Sequence, residues 1–547
     1  MGNERRSVVV IGNGPVGQTA ALLLARWGIP VTIVDARPVR ELVGSKAVTH
    51  RPNVLDIWEG LGAGRQMVEE GQAKVLGHVY YEDRELFVES YNDTGPSEYP
   101  AMLTLSQARI EALLDEQIAR QPLIKVRWGH RMKRISQDGT GVALECVRPD
   151  GSRVTVTADY AVAALGARTR DLHEQLGVSF DGRTFADRFL ICDIKVEDSP
   201  WGRDRHFHFN SVHNPGRQIL IQPCPESTFR IDWQLGDDYD EADDAAGGFD
   251  ARMRALIGDA RYEVIWKSVY RFHARLASRM RVGRVLLAGD CAHLMAPFGG
   301  RGLNSGVCDA ENAAWKLAYV LNGWAGEELL ESYDLERRAA ARENLQVTST
   351  TTDFLVPQDD EQRERRRRLL EAARLDPSEE TRGAIDTSTM AAPFWYVDSP
   401  LTTPQPRRPF LGRPAKGEVP RPGPGVVLPQ VRVSVPGASN TRLRELARRG
   451  LLLLVGDAVE ADQLLTEVSG AVAGPVEIYS IAAIDTTRAL AAELEPAPDE
   501  VWVVRPDAHV AAVCSRADIH EVLAAATRAV GGTEGIRRAS PWTRRAL

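Results

Sequence analysis

Residues 7–35 constrain this chain most. Ser7-Val8-Val9-Val10-Ile11 is a β-branched run, followed by Gly12-Asn13-Gly14-Pro15-Val16-Gly17. A helical stretch from Gln18 to Trp27 stops at Gly28-Ile29-Pro30, and a second strand, Val31-Thr32-Ile33-Val34, ends on Asp35. Strand, G-x-G-x-x-G, helix, strand and acid in that order form the fingerprint of a dinucleotide-binding βαβ unit. Gly12 permits the tight turn, Gly14 lets backbone reach a pyrophosphate, and Gly17 allows close helix packing. Asp35 then accepts hydrogen bonds from ribose hydroxyls. The glycine pattern alone is a weak signal; the strands, helix and acid around it make it specific.

A second glycine-rich stretch lies far downstream. The apolar run Val285-Leu286-Leu287-Ala288 reads as a buried strand, and Val307 to Asn322 carries apolar residues at helical spacing. Between them come Gly289-Asp290-Cys291-Ala292-His293, Pro297-Phe298-Gly299-Gly300-Arg301-Gly302-Leu303-Asn304 and Gly306. Glycines there allow close approach to a planar ligand, and a helix start offers N–H groups to electron-rich oxygens. An ordinary strand-loop-helix turn is the competing account of this stretch alone. A second such segment suits FAD, long enough to need both: adenosine at Asp35, ribityl chain and ring near Asp290 to Asn304.

Bulk properties narrow the class. A formal net charge of -8 argues against a nucleic-acid partner, which wants a basic face. No apolar run suits a bilayer, and the start leads straight into a strand, not a signal peptide. The six cysteines are scattered, without C-x-x-C or metal-ligand spacing, which predicts a reduced, cytoplasmic protein with no metal site.

The second stretch resembles the FAD-dependent aromatic hydroxylases, single-component monooxygenases of the para-hydroxybenzoate and phenol hydroxylase type. Gly289-Asp290-Cys291-Ala292-His293 is similar to that family's G-D-A-A-H, Pro297 through Asn304 to its P-x-x-G-x-G-x-N, and Asp309-Ala310-Glu311-Asn312 through Ala318 to its D-A-x-N-L-x-W-K-L-A. Leu329-Leu330-Glu331-Ser332-Tyr333 matches the L-L-x-S-Y that follows. The resemblance implies FAD held by Gly12, Gly14, Pro15, Gly17, Asp35, Ala36 and Arg37, by Lys46 and Arg51 in a loop over the flavin, and by Gln107 on the ribityl chain. It further implies Asp290 on that chain, Pro297 flanking the ring, and Gly302, Leu303 and Asn304 at its pyrimidine edge. His293 reads as a core histidine, and Arg301 either as a basic residue near the flavin or as a solvated charge. One departure concerns the reductant: Leu165 stands where the family usually has Asp, and Leu172 where Arg often occurs, so NADPH or NADH use is less secure than FAD binding.

The implied fold class is α/β: a Rossmann-type FAD-binding domain, an inserted antiparallel-sheet substrate domain and a C-terminal thioredoxin-like domain. The expected limits are 1–175 and 276–390 for the FAD-binding parts, the latter with helices, 176–275 for the substrate sheet, 391–425 for a proline-rich linker over the surface, and 426–547 for the last domain, whose lack of C-x-x-C leaves packing or homodimerisation. Alternation in 205–209, 217–222 and 229–234 predicts half-exposed strands, with His206, His208, Trp233 and Pro297 as substrate-pocket candidates. The implied activity is hydroxylation of a phenolic substrate with O2 and NAD(P)H through a flavin C4a-hydroperoxide. No catalytic base is assigned. Epoxidation, Baeyer–Villiger oxidation, antibiotic modification, or flavin binding without oxygenation remain alternatives.

Overall fold

The computed structural model describes residues 6–44, 47–74, 76–91, 97–236, 238–385, 387, 390–413 and 418–532. Its architecture is mixed α/β. The four buried residues of strand Val8–Ile11 sit near the middle of a six-stranded sheet in the order Arg281–Val282, Val285–Leu287, Tyr160–Ala163, Val8–Ile11, Val31–Val34, Ile124–Arg127. All neighbours pair in parallel except the first pair. A parallel sheet covered on both faces needs apolar residues at every position, which is why this run does not alternate.

Helix Pro15–Arg26 follows the first strand, and Gly17 explains its closeness: a Cβ there would stand 2.0 Å from the Gly12 carbonyl oxygen. The second long helix starts earlier than its apolar period predicts, at Arg301 rather than Val307, and runs to Leu321. Gly302, Leu303 and Asn304 therefore form its first turn, behind a left-handed Gly300.

Two long strands, Phe180–Val196 and Tyr262–Ala277, pair antiparallel and lead into an eight-stranded sheet. The sheet recruits Leu76–Tyr81 and Arg84–Ser90 from outside residues 176–275; Leu76–Tyr81 pairs in parallel with Arg205–Phe209. Both faces carry apolar clusters, so these strands are more enclosed than alternation predicts. Phe189, Ile191, Phe207, Phe209, Leu220 and Phe272 pack with Ala296 and Phe298 of the glycine-rich loop. On the opposite face Leu190, Ile194, Ile219, Ile231 and Trp233 pack with Phe249, Met253 and Ile257 of helix Phe249–Ile257.

The segment expected as a surface linker is partly inside: Trp395, Tyr396 and Leu401 are buried. Large aromatic groups reward burial, and these find it against the neighbouring units. Beyond it, a sheet ordered Val476–Ser480, Leu451–Val455, Glu500–Val504, Val510–Ser515 has its first pair parallel and the others antiparallel. Leu451, Leu453 and Val455 belong to the same apolar core as Val8–Ile11, Trp315 and Tyr319, whereas Leu452 and Leu454 face a separate cluster. No helix among the described residues is long and apolar enough to cross a membrane.

Because that core is continuous, Leu453→Ala is expected to cost about 2–5 kcal/mol. Urea unfolding followed by circular dichroism and tryptophan fluorescence should show one coincident transition at a lower midpoint. Two separated transitions would contradict a shared core.

Candidate functional site

The two glycine-rich stretches, remote in sequence, share a wall. A Cβ built on Gly289 would lie 3.1 Å from Val16 Cγ2, and one on Gly306 would lie 2.7 Å from the same atom. The third participant is the turn after strand Tyr160–Ala163: a Cβ on Gly12 would meet the Ala164 carbonyl oxygen at 2.3 Å and Leu165 Cα at 3.2 Å. Leu165 thus lies against the first glycine turn, and Leu172 is a core residue, 1% exposed.

At the end of the second strand, Asp35 is fully engaged. Its Oδ2 accepts from the Asn13 backbone N–H at 2.7 Å and from the Arg37 guanidinium at 2.9 Å. Its Oδ1 accepts from the Arg37 backbone N–H at 2.8 Å and from Arg37 Nε at 3.0 Å. Burial raises the pKa of this carboxyl, but the Arg37 hydrogen bond and the two backbone donors outweigh it and hold it below the ordinary value. Since a carboxylate offers about four lone-pair sites, a ribose hydroxyl takes its place here only if the Arg37 fork turns aside. Asn13 is fully buried, with neither side-chain amide atom partnered among the described residues.

The downstream loop is fastened by a buried carboxylate that the sequence-based site did not include. Asp309 Oδ2 accepts from the Gly289 backbone N–H at 2.9 Å and bonds His293 Nε2 at 2.7 Å, while Oδ1 accepts from Arg337 Nε at 2.7 Å. His293 is thereby an interior histidine engaged through Nε2, while its Nδ1 has no partner among the described residues. Burial opposes the Asp309 charge, but the fields of His293 and Arg337 and these hydrogen bonds keep it ionised below the usual range. Arg337 also donates to the Tyr396 hydroxyl at 2.9 Å and the Ser305 carbonyl at 3.2 Å.

Asn304 acts as a clip. Its amide donates to the carbonyls of Thr49 at 2.9 Å and Gly300 at 2.5 Å, and its Oδ1 accepts from the Arg51 backbone N–H at 3.0 Å. Both amide hydrogens are used within the chain. The Arg51 side chain reaches carbonyls, Ala391 at 2.8 Å and Ala101, where a phosphate contact was expected. Gln107 bonds Glu111 Oε1 at 2.8 Å from the first turn of helix Gln107–Ala119. Arg301 is buried against Asn344 Oδ1 and the Met390 carbonyl, not solvated. Asp290 lies in the turn at half-burial, Pro297 is exposed, and Ala36 follows Asp35 at the surface end of its strand. Lys46 lies outside the described residues.

Three pocket candidates stand elsewhere. Trp233 lies on the far face of the sheet, and His206 and His208 alternate with Phe207 and Phe209, so they point away from Phe298. They join an outer ladder instead: His78 stacks on His206 at 4.9 Å and Tyr80 on His208 at 4.5 Å. Alternation identifies two faces; only the fold says which one meets the loop. The face that does carries a buried polar group in place of those histidines: Lys74, Gln222, Arg230, Asp232 and Asp193, each at most 9% exposed.

Comparison with known proteins agrees with this geometry. A family described as "FAD binding domain" matches residues 5–348, and one described as "Aromatic-ring hydroxylase, C-terminal" matches residues 421–533. A 3-(3-hydroxy-phenyl)propionate/3-hydroxycinnamic acid hydroxylase of Mycobacterium sp. (strain JLS) is 35% identical over 361 residues, covering 62% of this chain and 59% of the relative. The chain therefore spans only about three fifths of that relative's length. Para-nitrophenol 4-monooxygenase of Pseudomonas sp. (strain WBC-3) is 30% identical over 352 residues, 63% of this chain and 85% of the relative. The flavin-dependent monooxygenase PieE, solved with FAD and substrate, shares the fold at a TM-score of 0.83 and 23% identity, over 96% of this chain and 99% of that one. With both glycine-rich loops in contact and these matches spanning them, the chain belongs to the family of FAD-dependent aromatic-ring hydroxylases.

Proposed function

We propose that this protein is a monooxygenase that uses FAD, O2 and NAD(P)H to hydroxylate a phenolic ring. The observation that carries this is the junction of the two glycine-rich loops at Val16, under a sheet whose apolar face packs on the second loop.

The residues fit the cofactor. Gly14 caps helix Pro15–Arg26 in extended backbone, and Gly302 lies in a helix turn; a Cβ on either meets nothing within 4 Å. Neither glycine is demanded by packing or by a left-handed conformation, and each costs conformational entropy. Close approach of a ligand at both points accounts for them. The uncapped start of helix Pro15–Arg26 presents N–H groups to a pyrophosphate. The start of helix Arg301–Leu321 presents its own to the oxygen-bearing edge of the ring, where donors favour gathering negative charge. Asp35 and Asp290 serve the ribose and ribityl hydroxyls.

FAD, when bound, supplies the passage of electrons from NAD(P)H to O2. The chain orients and shields it. Asp309 fixes the loop through Gly289, Asn304 pins the Thr49–His50 strand to the helix start, and Phe189, Phe207, Phe272 and Phe298 form a dry wall beside the reacting edge. The Leu165 side chain offers no hydrogen bond to a nicotinamide nucleotide, so hydride delivery depends on other groups.

The last unit supports a thioredoxin-like reading: its four-stranded sheet places Leu451–Val455 between Val476–Ser480 and Glu500–Val504, with Val510–Ser515 at the edge. It is not a redox module. It carries one cysteine, Cys514, whose thiol is pushed up to about 12 by burial. All six cysteines stand unpaired, in keeping with a reducing, cytoplasmic setting.

Purified protein should carry flavin absorbance and oxidise NADH or NADPH faster when a phenol is added, with one atom of labelled O2 entering the ring. A colourless protein that refuses added FAD would end the proposal. Gly14→Ala should change the stability of the flavin-free protein by less than about 1 kcal/mol and weaken FAD binding at least about tenfold. Equilibrium flavin titration separates the two effects. Asp309→Asn leaves Arg337 buried without its carboxylate and should cost about 3–5 kcal/mol. Because the folded pKa of Asp309 is depressed, its contribution is present above the ordinary carboxylate range and lost as pH falls through the lower folded value. Melting temperatures across the acid range should show that dependence in the wild type and not in Asp309→Asn.

A further inference from the structure

Asp232 is the buried group on the loop-facing sheet that the architecture leaves without an account. On its two sides it stands opposite Ile191 and Leu220, both of which pack with Phe298. Directly paired residues on adjacent strands share a face, so the Asp232 carboxylate is turned toward the glycine-rich loop. It is 9% exposed, and among the described residues no donor reaches its Oδ1.

The cations around it are directed to other acceptors. Arg230 forks onto Asp193 at 2.7 and 2.8 Å. Lys74 donates to Gln222 Oε1 at 2.5 Å and to Thr49 Oγ1 at 3.4 Å. Arg205 donates to the Tyr91 hydroxyl at 2.9 Å and the Thr387 carbonyl at 3.0 Å. One rung away, Gln218 lies beside Gln234 and is 2% exposed, with neither amide atom of its side chain partnered. A buried acceptor without a donor is costly and uncommon, and two at adjacent rungs on one patch of sheet point to a ligand that completes them. Burial raises the Asp232 carboxyl to about 6, with Arg230, Lys74 and Arg205 pulling it down and Asp193 pushing it up.

The patch adjoins the cofactor loops. Thr49, which Lys74 touches, gives its carbonyl to Asn304 and packs 3.3 Å from the position a Cβ on Gly300 would take. We propose that Asp232 accepts the hydrogen bond of a ring hydroxyl on the substrate, making it the group that selects phenols over rings lacking a free hydroxyl. The inference rests on the hydroxylase reading and adds the residue that recognises the substrate. A carboxylate acceptor draws the hydroxyl proton toward itself and leaves the ring richer in electrons, as attack on activated oxygen requires. Discrimination follows the same physics, because a methyl ether would leave Asp232 desolvated and unpaired.

The test titrates flavin-loaded wild type, Asp232→Asn and Asp232→Leu with matched pairs: para-nitrophenol and 3-(3-hydroxyphenyl)propionate, each against its methyl ether, extended to larger phenols and their ethers. Binding is read from perturbation of the flavin spectrum. The wild type should prefer phenol to ether at least tenfold. Asp232→Leu should lose that preference while binding the ethers within about twofold of wild type, and Asp232→Asn, which keeps a neutral acceptor, should fall between. Should Asp232→Leu fail to fold, Asp232→Asn alone decides: an unchanged preference overturns the assignment. Equal weakening of phenols and ethers overturns it as well. A wild type that takes up FAD and prefers phenols, with no variant altering that preference, removes Asp232 and leaves the hydroxylase reading standing. A wild type that binds no member of the panel removes both.

Discussion

One buried carboxylate holds the site together. Asp309 sits on helix Arg301–Leu321, fully enclosed, and meets a backbone N–H of the preceding glycine turn, an interior imidazole and a guanidinium from the next helix. An uncompensated charge in that position would be very expensive, so its partners are fixed as tightly as it is. The consequence is geometric: Gly289 and Gly306 are brought against Val16, so that the two loops lie side by side. Everything proposed for the cofactor presupposes that contact.

From there the buried polar network continues outward. Arg337 passes from Asp309 to Tyr396, and Asn312 links Tyr396 to Glu336. Glu336 pairs with Lys316 at 2.6 Å and with Arg505 of the last unit at 2.6 and 3.0 Å, and Arg505 pairs with Asp507 at 2.6 Å. Arg448 makes a second bridge, to Asp56 and Glu311, both at 2.7 Å. These ions offset one another's desolvation only as a set. The last unit is thus joined to the glycine-rich helix by charge as well as by apolar area.

What the sequence revealed and concealed follows from range. The first βαβ turn was legible because its meaning is local: glycines, an apolar helix and an acid at fixed offsets have few other uses. The resemblance at 289–318 was legible for the same reason. Long-range facts were not. Nothing in the periodicity of 205–209 says that Phe207 rather than His206 meets the loop, and the strands at 76–90 join the large sheet through a pairing remote in sequence. The helix start at Arg301 was hidden because glycines weaken a helical pattern even where the backbone adopts it. The burial of Asp309, Lys74, Asp232 and Arg505 was not legible, since it is decided by partners that no window of sequence contains. The strand Val510–Ser515 went unassigned because its central alanines carry no strand preference of their own.

The sharing of one apolar core between Leu451–Val455 and helix Arg301–Leu321 bears on how the molecule is made. Synthesis proceeds from the N-terminus, so Trp315, Tyr319, Lys316 and Glu336 leave the ribosome long before the strands that cover them. Until Arg505 arrives, the nascent fold carries an oily patch with the Lys316–Glu336 pair at its edge. Covering of that helix by the last unit is therefore a late event, and holding factors that mask such patches have their natural target on it.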